Sequence, residues 1–245
     1  MYDNIPALYD DAQKFRDIIE TISWSEDGLR ALIAARIRYS IPQFAGLADS
    51  TVWSSVFAET LTYRNSKSFN YMVDRTLLRP RELIQFCGRA IEASLEQQIG
   101  APLDYSAITL AEARHSEERT KDIAAEYRFQ FPGLLSVFES FRGRVYGFDH
   151  DELETICLEL ITGGIAIEHD AESWVRPLEP DALLWHIGFL RAIGSGGIRA
   201  ARRSGSSYVG AYQVSQLNLD NVPRFQVHQI FRSYLAMREP KSRSG

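Results

Sequence analysis

The chain has 245 residues, 45% hydrophobic and 24% charged, an ordinary globular composition large enough for one large domain or two small ones. No apolar run approaches the ~20 residues needed to span a membrane, and the opening Met-Tyr-Asp-Asn-Ile-Pro lacks the basic start and apolar core of a signal peptide. The net charge of −5 is uneven: residues 196–245 hold eight Lys/Arg against two Asp/Glu, a net of +6, while the rest holds 19 basic and 30 acidic residues, a net of −11. A basic C-terminal end permits an anionic partner without requiring one.

In chain order, Phe15, Ile18, Ile19 and Ile22 share one face of a predicted helix over residues 10–22. Ser25 then caps a second helix carrying Leu29, Leu32, Ile33, Ile37 and Ile41, with Trp24 stapled onto Leu29. Pro42 and Gly46 break the pattern. A third helix from about Ser50 turns Val52, Trp53, Val56, Phe57 and Leu61 inward, and Ser68 caps a short helix with Phe69, Met72 and Val73. Pro80 suits the first position of the next helix, which carries Leu83, Ile84, Cys87 and Ile91 and stops near Gly100. Thr109 with Glu112 matches a capping box opening a charged helix to about Tyr127, with a solvated face of Glu117, Glu118, Arg119, Lys121 and Asp122. The predicted domains are a helical lid-like bundle over 1–130 and a second domain over 131–245.

The second part opens on a helix after Pro132 with Leu134, Leu135, Phe138 and Phe141 inward. Val145–Phe148 reads as a short strand, and Asp149 caps a helix that Gly163-Gly164 ends. Pro180-Asp181 opens a helix with Leu183, Leu184, Ile187 and Leu190, predicted to run to Gly194. Strands at Ile198–Arg202 and Phe225–Val227 flank a Ser/Gly-rich insert, and a last helix spans His228 to Met237. Helix, strand, helix, helix, strand, strand is the order of a winged helix, so the fold class is mainly α, a helical bundle followed by a winged-helix domain with a small β-hairpin wing.

Three arginines, Arg75, Arg79 and Arg81, cluster around the start of the Pro80 helix. Cations there oppose the helix dipole, so either they hold an anion such as a phosphate or they are solvated and paired with Glu82 or Asp74. A second group, Arg199, Arg202 and Arg203, precedes Ser204-Gly-Ser-Ser where a wing would lie and would contact DNA phosphates or a protein partner. Against base reading, the helix from Asp181 presents Leu183, Leu184, Trp185, Phe189 and Leu190, with Arg191 its one charge past Asp181.

Catalytic signatures are missing from the sequence. It contains no G-x-x-x-x-G-K-[ST] loop, no G-x-S-x-G elbow and no H-E-x-x-H pair. His150 with Glu154 and the Glu168-His169-Asp170 cluster lack companions at ligand spacing, so no metal site is expected. Cys87 and Cys157 sit in apolar helical patterns and read as reduced, inert core thiols of a cytoplasmic protein.

Three stretches resemble a known family: Lys14-Phe15-Arg16-Asp17 through Trp24, Leu32-Ile33 and Arg36-Ile37; Val52-Trp53 and Phe57 followed by Asp74-Arg75-Thr76-Leu77-Leu78-Arg79-Pro80-Arg81-Glu82-Leu83-Ile84-Gln85-Phe86-Cys87; and Pro223-Arg224-Phe225-Gln226-Val227-His228. Together they look like the C-terminal half of bacterial P-loop ATPases related to the AAA+ and STAND classes, for which roles in defence against mobile DNA have been suggested. The resemblance implies a lid helix whose Pro-Arg start presents a sensor arginine to nucleotide phosphates, by position Arg81; Arg79 stands where related patterns have Asn, a departure that leaves Arg79 as the alternative. It also implies that ATP and Mg²⁺ belong to a nucleotide core absent here, so this chain binds no cofactor and hydrolyses nothing alone. The expected function is a non-catalytic regulatory and output module, with a P-loop core as partner in cis or in trans and with a protein or DNA as downstream contact. A free-standing winged-helix DNA-binding regulator is the first alternative and an unrecognised enzyme the second.

Overall fold

The computed structural model describes residues 23–62, 65–176, 180–193, 208–214 and 217–240. The helix predicted over 10–22, the strand at Ile198–Arg202 and the Pro240–Gly245 tail beyond Pro240 fall outside them.

The first half is helical because its caps and stops are local. Ser25, in extended backbone, accepts the Gly28 amide at 3.0 Å and opens α1 (Glu26–Ser40), whose first turn carries Glu26 and Asp27 in agreement with the helix dipole. A 3₁₀ turn at Pro42–Phe44 and Gly46 at φ +85° lead to α2 (Asp49–Val56). Arg38 ties the two helices by an ion pair to Asp49 at 2.6 Å. Leu61 does not extend α2; it lies in β1 (Thr60–Leu61), paired antiparallel with β2 (Ser66–Lys67). Ser68 does not cap α3 (Ser68–Val73) but lies inside it, its hydroxyl accepting from the Trp53 indole at 2.9 Å. Pro80 starts α4 (Pro80–Glu96), which ends at Gln97 with Gln98 in left-handed backbone, ahead of the expected Gly100.

The 22-residue α5 (Tyr105–Glu126) begins a full turn before the expected capping box. Asp104 is its cap, while the Thr109 hydroxyl donates back to the Tyr105 carbonyl at 2.8 Å, as a mid-helix threonine does. Helix α5 runs antiparallel to α4: Arg79 at the start of α4 pairs with Glu126 at the end of α5, Phe86 stacks on His115 at 4.5 Å, and Arg89 bonds Glu118. The predicted solvated face of α5 is therefore only partly so, since Arg119 is buried.

In the second half, α6 (Leu134–Glu139) follows a left-handed Gly133, and β3 (Gly147–Asp149) leads into α7 (His150–Thr162). Asp149 and Glu152 form a reciprocal capping box, and Gly163 at φ +78° ends the helix. A helix not expected from the sequence, α8 (His169–Val175), precedes α9 (Pro180–His186). Helix α9 stops at Gly188, φ +82°, not at Gly194, and Leu190 belongs to a strand. Strands β4 (Leu190–Ile193), β5 (Tyr208–Gly210) and β6 (Arg224–Val227) join β3 in an antiparallel sheet of order β3-β6-β4-β5, with Phe148 opposite Phe225 and Arg191 opposite Gln226. The closing helix α10 (Gln229–Arg232) is a single turn, shorter than the span predicted to Met237.

Two hydrophobic cores result. One gathers Leu29, Ile33, Trp53, Phe69, Leu83, Phe86 and Ile108; the other gathers Leu77, Ile123, Phe138, Phe141, Phe189, Phe225 and Phe231 around a stack of Phe138 on Phe189 at 4.8 Å. Helix α5 contributes Ala107, Ile108 and Ala111 to the first and Ile123 and Ala124 to the second. Among the described residues the chain is mainly helical, with ten α-helices, and no helix is long and apolar enough to cross a membrane.

Candidate functional site

The three arginines at the start of α4 are pulled apart. Arg75, on the turn after α3, pairs with Glu112 at 2.8 Å, donates to the Tyr71 carbonyl at 2.9 Å and lies 3.4 Å over the Tyr71 ring. Arg79, the N-cap residue of α4, pairs with Glu126 at 2.9 Å and lies 4.0 Å from Glu82. Glu112 and Glu126 are fourteen residues apart on α5, about 21 Å at helical rise, so Arg75 and Arg79 face different places. Arg81 is exposed and makes no ion pair among the described residues. The buried Glu82 carboxylate accepts the Leu77 amide at 2.6 Å and anchors the turn in which Leu78 takes a left-handed φ of +55°. Burial raises the pKa of Glu82 and Leu77's hydrogen bond opposes the rise.

A different convergence lies along the seam between the two halves. Asp74 and Arg75 come from the turn after α3, Arg191 from the middle of β4, and His228 and Arg232 from the two ends of α10. Arg191 is buried and donates to the Tyr208 carbonyl at 2.6 Å and to Gln229 at 3.3 Å. Arg232 donates to the Val227 carbonyl at 2.7 Å and to Gln226 at 2.8 Å, and its guanidinium lies 3.8 Å over Tyr146. His228 is fully buried; its Nδ1 accepts the Ile230 amide at 3.2 Å, so the neutral ring carries its proton on Nε2 and donates it to the Tyr212 hydroxyl at 3.1 Å.

The electrostatics of these groups are shared. Burial pushes Asp74 up to about 6, against the pull of Arg191, Arg75 and Arg232. Burial holds His228 well below the usual imidazole value, and the same three arginines push it further down. Burial lowers Arg232 to about 10, with Arg191 and Arg75 adding to the fall, which still leaves it charged at neutral pH. The seam is thus a place where positive charge is concentrated and partly withheld from water. Arg191 stood out in the sequence only as a lone charge in an apolar run, and Arg232 gave no local signal at all; both gain their meaning from the strand pairing of Arg191 with Gln226.

Arg199, Arg202 and Arg203 lie outside the described residues. His150 and Glu154 sit 3.2 Å apart on α7 and His169 lies 3.7 Å from Glu172, and no group of three or more metal-ligating side chains occurs among the described residues.

Residues 27–124 match the model of a family described as the FunZ-associated C-terminal helical domain. The match runs from the first turn of α1 to Ala124 in the last turn of α5, the span of the first core, and residues 125–245 lie beyond it. No curated protein and no solved structure matches the chain. The helical architecture of the matched region fits the family's description, which is that of a module within a larger protein.

Proposed function

We propose that the chain is a non-catalytic output module of a P-loop ATPase, reading the nucleotide state of a core held in cis or in trans and passing it to a partner. The observation that carries this reading is the position of Arg81. It is the second residue of α4, exposed, and without an ion pair among the described residues, while Arg75 and Arg79 beside it are committed to Glu112 and Glu126. A phosphate brought to the start of α4 by a neighbouring core would meet that guanidinium and the helix N-terminus together. Similarity of residues 27–124 to a C-terminal helical domain supports a role as part of a larger protein.

The relay follows from the packing. Helix α4 lies along α5, and α5 reaches the second core, where the Ser116 hydroxyl bonds the Ile230 carbonyl of α10 at 2.6 Å. In the second half, the order α6, β3, α7, α8, α9, β4, β5, β6, with β6 between β3 and β4 and β5 added at the edge, supports a winged-helix reading with an extra helix and an extra strand. Helix α9 buries Leu184 and Trp185 in the second core, so that face is not free to read bases. ATP and Mg²⁺ would enter only through the core, in the cytoplasm. Free-standing DNA binding through Arg199, Arg202 and Arg203 is the alternative.

The test is nucleotide titration and turnover of the assembled core and module with Arg81→Ala. Weakened nucleotide response with an unchanged circular dichroism spectrum is expected. Unchanged affinity and turnover would remove the reading, and duplex DNA binding that falls steeply with salt would replace it by the alternative.

A further inference from the structure

A cleft of about 560 Å³ opens at the seam, lined among others by Tyr71, Arg75, Tyr146, Gln229, Arg232 and Ser233. That volume is in the range of small-molecule sites. Both of its guanidiniums lie over tyrosine rings, at 3.4 Å for Arg75 on Tyr71 and 3.8 Å for Arg232 on Tyr146. Each ring holds its guanidinium at the cleft wall by a cation–π contact.

The two arginines differ in how their charge is met. Arg75 has Glu112 at 2.8 Å. Arg232 is half-buried, and its hydrogen bonds go to the neutral oxygens of Val227 and Gln226; no carboxylate pairs with it among the described residues. Arg232 feels the Asp74 carboxylate but hydrogen-bonds neutral acceptors, beside other guanidiniums and partly withdrawn from water, an arrangement that a directly bonded anion relieves. The groups around it suit one. Gln229 accepts from Arg191 through its Oε1 at 3.3 Å, which leaves the amide N–H₂ as its donor end. Ser233, four residues on, adds a hydroxyl to the same lining. Two carboxylates also line the cleft: Glu112, neutralised by Arg75 at 2.8 Å, and Glu239, 3.4 Å from the Tyr146 hydroxyl, whose charge, without an ion pair among the described residues, repels an incoming anion.

We propose that this seam cleft binds a phosphate-bearing small molecule, either a nucleotide or free phosphate, with Arg232 gripping the anionic group, Gln229 and Ser233 donating to it, and Arg75, held by Glu112, forming the opposite wall. The site is distinct from Arg81 and stands whether or not an ATPase core exists.

Isothermal titration calorimetry of the full chain at low salt tests it, with three probes: inorganic phosphate, ATP without magnesium, and a short DNA duplex. Saturable one-site binding of phosphate or ATP is expected, weakened ~10-fold or more by Arg232→Gln, the loss of one charge-assisted contact. Glu239→Gln removes the repelling charge at an exposed position and tightens binding about threefold, so the proposal remains testable if Arg232→Gln fails to fold. Tighter binding of ATP than of phosphate assigns a nucleotide, and equal binding assigns free phosphate. Absence of binding to both, affinity unmoved by both substitutions, or binding of the duplex alone overturns the proposal.

Discussion

The Ser116 hydroxyl, midway along α5, donates to the Ile230 carbonyl at 2.6 Å and accepts the Tyr234 amide at 3.0 Å. One buried side chain thus satisfies a backbone acceptor in α10 and a backbone donor just after it, more than a hundred residues away. Ser116→Ala strands both groups. Urea denaturation of that variant is expected to show a loss of about 2 kcal/mol, with the loosening concentrated in hydrogen exchange of residues 230–235.

Asp74 of the seam and His115 of α5 give stability two opposed responses to acid. Asp74, raised to about 6, stabilises most when protonated, so its contribution is full below its unfolded value near 4 and is lost as pH rises through about 6. His115, lowered to about 4 mainly by burial against Phe86, behaves oppositely: its contribution is full above about 6.5 and is lost as pH falls through about 4. Linkage makes each of these worth of order 2–3 kcal/mol. Asp74→Asn is therefore expected to be more stable than the parent at pH 7 and to lose stability more steeply between pH 6.5 and 4. Equal slopes in denaturant midpoint against pH would contradict this.

Gly188 turns the chain from α9 into β4 at φ +82°, and a Cβ there would stand 3.2 Å from Leu77 Cδ2. Gly188→Ala meets left-handed strain and a tight contact together. The expected cost is about 2 kcal/mol, read as a lowered thermal midpoint, whereas Gly88→Ala, where nothing lies within 4 Å inside α4, should be neutral to stabilising by about 0.5–1 kcal/mol.

Cys87 and Cys157 are free, buried thiols, each pushed up to about 12 by burial. Neither forms thiolate at neutral pH, so a thiol reagent should label them only on unfolding, at the rate of global opening. Rapid native labelling of either would show a fluctuation that exposes its helix.

What could be read from the sequence was set by range. Ser25 and Asp149 announce their helices because a cap and its amide partner lie within three residues. Thr109 and Glu112 imitate that signal inside α5, since Glu112 is spent on Tyr71 and Arg75 some forty residues earlier, where local pattern says nothing. The run from Leu183 to Leu190 has helical spacing, yet Gly188 splits it and β4 (Leu190–Ile193) pairs on both sides as a central strand. Of the candidate residues, Arg75 belongs to the seam and Arg79 does not, because their partners on α5 are far apart. Arg191 showed in the sequence only as a lone charge and Arg232 not at all; the register of β4 on β6 is what brings the two together.

Helix α5 carries neither proline nor glycine over its 22 residues, so it has no built-in joint along about 33 Å. The two cores grip opposite ends of one stiff rod. A tilt of three degrees about Tyr105 moves Glu126 by about 1.6 Å, and with it the carboxylate that holds Arg79 at the mouth of α4. Geometry alone therefore magnifies a small adjustment in one core into a displacement large enough to break and remake an ion pair at the other.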